Sequence, residues 1–255
     1  MADHCGFGGE EEAFKVILVL NFFLSDDFAA TFNRMIRQHL EGTHQPIRYL
    51  RITAHTDEEE FMKAADEATH LILSGSEAST LDDRGWEDMM CRGLEKMIRS
   101  KKAILGICYG HQLLVRCLAG KAYLRKAPYP EMGWGQILLE ENPLFAGITH
   151  PVCLLAHYDE AIKLPEDFQL LGRSEKCPVH AFQYKDLPVW GVQFHPEYDL
   201  DSGREIFDEL EASDPLFFSY FINELDNPQR LQQNKRFFTN FIHLPKGHKR
   251  EQGKD

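Results

Sequence analysis

The chain predicts an α/β fold with a mostly parallel central sheet and helices on both faces. Three observations predict it. Apolar runs such as Phe14 to Phe23 and His70 to Leu73 lack in–out alternation, as strands buried on both faces do. Stretches between them carry apolar residues at helical spacing. The two kinds alternate from residue 14 to residue 107, which calls for βαβ units wound the same way around one sheet.

Taken in order, Phe14 to Phe23 reads as the first strand. Phe28 to Leu40 follows as a helix, with Phe28, Phe32, Met35, Ile36 and Leu40 on one face. Ile47 to Ile52 is a second strand, and Thr56 to Ala68 a second helix whose Thr56–Glu59 pair has capping-box spacing. His70 to Leu73 is a third strand ending in the turn Ser74-Gly75-Ser76. Asp88 to Ser100 is helical, and residues 103–107 form a further strand. Beyond Lys121 the pattern changes to short strands at Gly135–Leu139, Val152–Leu155, Val179–Tyr184 and Val189–Phe194, expected as a small mixed or antiparallel edge sheet. Ser202 to Glu211, Pro215 to Leu225 and Asn227 to Ile242 carry apolar stripes, and predict amphipathic C-terminal helices that close over the sheet. There is no internal repeat. The expected organisation is a disordered leader at 1–12, a catalytic domain at 13–200, a helical extension at 201–244 packed on that domain, and a mobile tail at 245–255.

Composition narrows the function class. At 255 residues, 43% hydrophobic and 27% charged, the chain can bury one sizeable core. A net charge of −12 argues against binding a phosphate backbone, so no nucleic-acid partner is expected. No apolar stretch is long enough to span a bilayer, and the acidic N-terminus does not read as a signal peptide. Six cysteines in a chain of this length do not suggest a disulfide framework, and a cytoplasmic location is expected. Cys91, Cys117, Cys153 and Cys177 read as small buried hydrophobes. His4 and Cys5 lack a second pair of ligands that would make a zinc site, and no metal is expected.

One cysteine differs. Gly106-Ile107-Cys108-Tyr109-Gly110-His111-Gln112 follows the strand and precedes Leu113-Leu114-Val115, so Cys108 falls on a strand-to-helix corner with glycine on either side. Such an elbow is strained and demands small neighbours. The helix N-terminus beyond it favours a thiolate over a thiol. The Tyr109 backbone N–H points to where an oxyanion would form. A nucleophile needs a base. Of the twelve histidines, His195 stands at the end of the apolar run Val189 to Phe194, which Pro196 terminates. Glu197 lies two residues on, close enough to orient the imidazole, and the triad Cys108, His195, Glu197 follows. His111, in the first turn after the nucleophile, reads as a packing residue.

The two segments, Gly-Ile-Cys-Tyr-Gly-His-Gln and Gly-Val-Gln-Phe-His-Pro-Glu, resemble those of the class I (triad) glutamine amidotransferase family. Three more segments are similar to that family: Leu71 to Ser76, Glu131-Met132-Gly133-Trp134, and His157-Tyr158-Asp159-Glu160. The resemblance covers roughly residues 14 to 200 and is nearest to freestanding members of the glutaminase or γ-glutamyl peptidase kind. It implies a flavodoxin-like fold and cleavage of the side-chain amide of glutamine, or of a γ-glutamyl bond, through a cysteine thioester. It also implies an oxyanion hole from Tyr109 and the Gly75–Ser76 turn, with Ser76 N–H the nearer donor. Gln112 would hold the α-amino and carboxylate end of the substrate. No organic cofactor or metal is implied. A separate synthetase subunit would be the partner of a member that passes its ammonia on. Where relatives often carry glycine or proline, this chain has Ser76; a donor position demanding positive φ would strain a serine there.

Overall fold

The computed structural model describes residues 16–244. The leader at 1–12, with His4 and Cys5, and the tail at 245–255 lie outside the described residues.

Strands β1 (Val16–Asn21), β2 (Ile47–Arg51), β3 (Ala68–Leu73) and β4 (Ala103–Ile107) pair in parallel, with β1 between β2 and β3. Helices α1 (Asp26–His39), α2 (Glu58–Glu67) and α3 (Glu87–Arg99) connect them in turn. Helix α4 (Tyr109–Leu118) leaves β4 through Cys108. The chain then forms β5 (Leu124–Gln136), β6 (Leu138–Leu139), β7 (Val152–Ala161), β8 (Phe168–Arg173), β9 (Ala181–Tyr184) and β10 (Val189–Val192). Strand β10 returns to lie parallel to β4, with Val192 opposite Ile107. Strands β9, β8 and β6 continue the same sheet in antiparallel fashion, giving the eight-stranded order β2-β1-β3-β4-β10-β9-β8-β6. The expected edge strands are therefore divided. The segments at 181–184 and 189–192 extend the main sheet, whereas β5 and β7 form a second sheet with β11 (Phe221–Asn223).

Side chains of the parallel strands alternate between two cores, as the period of two requires. Leu18, Leu20, Leu71, Leu73 and Ile104 pack with Phe61 of α2, Leu94 and Met97 of α3 and Leu113 of α4. Ile17, Val19, Ile72, Leu105 and Ile107 face the other way, against Phe32 and Ile36 of α1 and Phe237 and Phe241 of α7 (Lys235–His243). Burial of a large apolar side chain is worth about 1.5–3 kcal/mol, so the fully buried Phe237, Phe238 and Phe241 suffice to seat α7 on the sheet.

Local signals fix the helix starts. The Ser25 hydroxyl accepts from Phe28 N–H at α1, and at α5 (Leu200–Ser213) Asp199 and Ser202 form a reciprocal box. The expected Thr56 cap is displaced by one residue. Asp57 caps α2 by accepting from Glu60 N–H, while Thr56 accepts from Thr53 N–H in the preceding turn.

Two expectations need correction. Pro215 to Leu225 is not one helix: only the short turn α6 (Phe217–Tyr220) is helical, and Phe221–Asn223 pairs in parallel with Met132–Trp134 of β5. A Cβ built at Gly133 would lie 1.9 Å from the Ile222 carbonyl oxygen, so glycine there admits the added strand. Asn227 to Ile242 likewise begins as a 3₁₀ turn at Pro228–Asn234 before α7. The second correction concerns cysteine. Cys91 of α3 and Cys117 of α4 are joined in a disulfide across 26 residues, whereas Cys108, Cys153 and Cys177 are free and buried. Spacing hid the pair, because the two residues meet only when α3 and α4 pack side by side.

Candidate active site

The site forms where β4 and β10 end beside each other. Because Ile107 and Val192 are partners in the parallel ladder, the residues just beyond them share one edge of the sheet. Parallel sheets place their chemistry at this carboxyl edge. Cys108 occupies the elbow with φ 50° and ψ −101°, a conformation side chains avoid, and its N–H is tied to Val192 C=O at 2.8 Å. Both flanking glycines have steric reasons. A Cβ at Gly106 would lie 2.5 Å from the Gly110 carbonyl oxygen, and one at Gly110 would lie 2.6 Å from Leu73. The tight crossing of β3, β4 and α4 thus permits the elbow only with glycine at both places.

His195 follows β10 by three residues and is anchored by its N–H to Leu154 C=O of β7 at 2.9 Å. Its Nδ1 lies 2.7 Å from Glu197 Oε1, and both His195 and Cys108 line the same cavity. Burial alone would discharge this imidazole. The Glu197 carboxylate and the Cys108 sulfur outweigh burial and push its pKa up to about 10. Glu197 is itself buried, and its backbone carbonyl accepts from His39 Nε2 at 2.9 Å. The three residues singled out in the sequence are therefore together, in the order nucleophile, imidazole, carboxylate.

Gly75 lies directly over them. A Cβ there would come 2.9 Å from His195 Cε1 and 3.8 Å from Cys108 Cβ. Ser76 does not have positive φ, so the serine is not strained by its backbone. Its hydroxyl donates to Phe22 C=O at 2.7 Å and accepts from Ala78 N–H at 2.9 Å, which sets the turn. Tyr109 opens α4, so its N–H has no partner within the helix. The Tyr109 ring is held away from the thiol by Trp86, whose indole N–H donates to the phenol oxygen at 2.9 Å.

These groups open into a cavity of about 480 Å³ lined by Ser76, Cys108, Tyr109, His195 and Tyr198, and closed on one side by Ile206, Glu209 and Leu210 of α5. Its far wall carries Lys126 and Asp159, which form an ion pair at 2.7 Å, and Ser79, which donates to Asp159. A larger cleft of about 720 Å³ lies by Asn142 and Trp190, and no residue of the triad lines it.

Gln112 lines the cavity, but its amide is engaged within the protein. Its oxygen accepts from the Thr80 hydroxyl, and its nitrogen donates to Asp159 C=O at 2.8 Å and Gln193 Oε1 at 3.0 Å. Gln193 in turn donates to Cys108 Sγ at 3.6 Å. Gln193 stands in the motif ending at Glu197, but sequence reasoning misses its role, because nothing in the spacing shows which way its side chain turns just beyond β10. His111 is wholly buried against Phe182 at 4.9 Å between ring centres, and burial pushes its pKa down to about 3, as a packing residue requires.

Comparison with known proteins gives the same direction. A glutamine-hydrolyzing GMP synthase subunit of Thermococcus kodakarensis is 44% identical over 107 residues, covering 41% of this chain and 56% of that protein. The chain thus spans little more than half the length of that relative. The Pyrococcus abyssi protein of the same name is 33% identical over 166 residues, 63% of this chain and 84% of that protein. Among solved structures, a glutamine amido transferase from Methylobacillus flagellatus shares the fold with a TM-score of 0.68 at 18% identity, over 94% of this chain and 99% of that one. Among the described residues no helix is long and apolar enough to cross a membrane. The family model described as glutamine amidotransferase class-I matches residues 24–210, and the chain belongs to that family.

Proposed function

We propose that this chain hydrolyses the side-chain amide of glutamine through a Cys108 thioester. The observation that carries the reading is the elbow cysteine sharing one cavity with a His195–Glu197 pair joined at 2.7 Å. The raised His195 pKa supports an imidazole that takes and holds the Cys108 thiol proton as the sulfur attacks the δ-carbonyl. The developing oxyanion sits between the Tyr109 N–H and the Gly75–Ser76 turn, each such donor being worth about 3 kcal/mol of barrier. His195 then gives its proton to the departing nitrogen, ammonia leaves, and the neutral imidazole takes a proton from the water that opens the thioester. Glutamate is released, the sulfur recovers its proton from His195, and both residues return to their starting state. Glu197 keeps the imidazole in one orientation throughout. Gln112 positions Gln193 against the sulfur, and the cavity wall at Lys126, Asp159 and Ser79 supplies charge for the α-amino and carboxylate end.

One observation favours a second reading, a γ-glutamyl peptide hydrolase. A cavity near 480 Å³ is in the range of about 300–1,000 Å³ that takes drug-sized ligands, more than one amino acid needs. The relatives' names, which make each of them one subunit of a GMP synthase, support a third, in which ammonia passes to a separate synthetase. The test is ammonia and glutamate release from glutamine, beside a panel of γ-glutamyl peptides, with Cys108→Ala as control. Release from glutamine supports the leading reading and preference for the peptides the second. Turnover by Cys108→Ala would refute the covalent mechanism.

A further inference from the structure

Behind the catalytic pocket four side chains from distant parts of the sequence converge: Glu131 of β5, His157 of β7, Cys177 and His180. All four are buried, and one donor atom from each lies within 4.8 Å of the others. The topology makes the meeting. Glu131 and His157 are partners across the β5–β7 ladder, while Cys177 and His180 come from the loop that leads into β9.

Hydrogen-bond accounting points to a ligand. Glu131 Oε2 receives both imidazoles, His157 Nε2 at 3.2 Å and His180 Nε2 at 2.9 Å, and Ser174 donates to Glu131 Oε1 at 2.8 Å. The other nitrogen of His157, Nδ1, faces the Asp159 carbonyl oxygen at 3.2 Å. Both nitrogens of that ring thus face acceptors, and a neutral imidazole has only one N–H. His180 Nδ1 is buried with no hydrogen-bond partner. The ion pairs made by Glu131 are with the two histidines alone, no lysine or arginine among the described residues. A cation held on the Nε2 side answers the conflict at His157. Its Nε2 would give a lone pair to the metal and its Nδ1–H would donate to Asp159 C=O, the backing that ligating histidines ordinarily have.

We propose that Glu131, His157, Cys177 and His180 form a binding site for one zinc-like divalent ion. Two imidazoles, one thiolate and one carboxylate are a tetrahedral donor set of borderline softness, which suits zinc over magnesium or calcium. Four protein donors leave no open position, so the site is structural and takes no part in the hydrolysis. It would clamp β5 and β7 of the second sheet to the loop before β9. The effect reaches the catalytic histidine by a short path: His180 C=O accepts from Gln193 N–H at 2.8 Å, two residues before His195. Cys177 thereby has a role that its reading as a small hydrophobe does not give it.

The test uses the full chain. Zinc content is measured after gel filtration, the melting temperature is measured with and without added zinc, and cobalt is substituted in a Cys108→Ala background that removes the pocket's own thiol. The expected result is one zinc per chain and a higher melting temperature with zinc. The cobalt form should show tetrahedral d–d bands and a thiolate-to-cobalt charge-transfer band that Cys177→Ser abolishes. Circular dichroism checks that this variant is folded; if it is not, zinc content and zinc-dependent melting of the unmodified chain decide alone. A folded chain with no stoichiometric zinc and no response to added zinc would overturn the proposal and leave a hydrogen-bonded network centred on Glu131. A charge-transfer band that survives Cys177→Ser would overturn it equally.

Discussion

Cys108 bears two costs that a structural residue would not. Its φ of 50° and ψ of −101° carry strain on the order of 1–3 kcal/mol, and its sulfur shares a buried pocket with an ionised partner. Relief of the strain is measurable. Cys108→Gly should be more stable than Cys108→Ala by about 1 kcal/mol or more in denaturant unfolding, since glycine alone is free at positive φ, while both lose turnover entirely. Glu197 acts only through His195, so Glu197→Gln should retain more activity than either, with kcat down by roughly 10⁴-fold against about 10⁶-fold for loss of a nucleophile. Equal losses would mean that Glu197 does more than orient. The imidazole also links stability to pH. The folded pKa of His195, about 10, is raised above an unfolded value near 6.5, so its stabilising contribution is complete below pH 6.5 and is lost as pH rises toward 10. The stability difference between the unmodified chain and His195→Gln should therefore shrink steadily across that window in unfolding titrations; a difference constant with pH would contradict the raised pKa.

Among the elements, the second sheet depends on a contact finer than hydrophobic pattern. Strand β11 lies on β5 because Gly133 at φ 113° has no Cβ to meet the Ile222 carbonyl. Gly133→Ala should cost about 1–3 kcal/mol and free the 217–223 segment, read as early proteolysis there with the triad's activity reduced less than stability. Retained protection of that segment would show that β11 is held by its aromatic contacts instead. This is also where sequence reading reaches its limit. Strands β1, β3 and β4 are legible because doubly buried strands leave continuous apolar runs, and the elbow is legible because a nucleophile, two glycines and a His-Pro-Glu segment are local chemistry. Phe217 to Asn223 is not, because an aromatic stripe of that length serves a helix face or an added strand equally well. Gln112 and Gln193 both stand in recognisable motifs, yet their roles come from hydrogen bonds that link helix α4 to β7 and to the segment after β10, which spacing does not encode.

At the scale of the whole molecule, the pocket is assembled from parts that lie far apart in the chain: the turn after β3 and the start of α4 on one side, β7, His195 and α5 on the other. What keeps the first side in register is the packing of α4 between β4 and α3, reinforced by the Cys91–Cys117 disulfide. The link encloses a loop that contains β4, the elbow and nearly all of α4. Closing a loop across 26 residues removes unfolded-state entropy worth about 3–4 kcal/mol in the loop-closure account. Cys91→Ala with Cys117→Ala should accordingly lower the unfolding free energy by that order, measured by denaturant titration under non-reducing conditions, and a reducing agent should lower the unmodified chain to the same level. The triad itself does not pass through the link, because Cys117 lies more than two helical turns from Cys108 along α4. KM and kcat below the melting transition should then be unchanged in the double variant, with the temperature of half-inactivation reduced. A fall in kcat without a fall in stability would reverse that order of cause, and would mean that the α3–α4 link sets the geometry of the nucleophile directly.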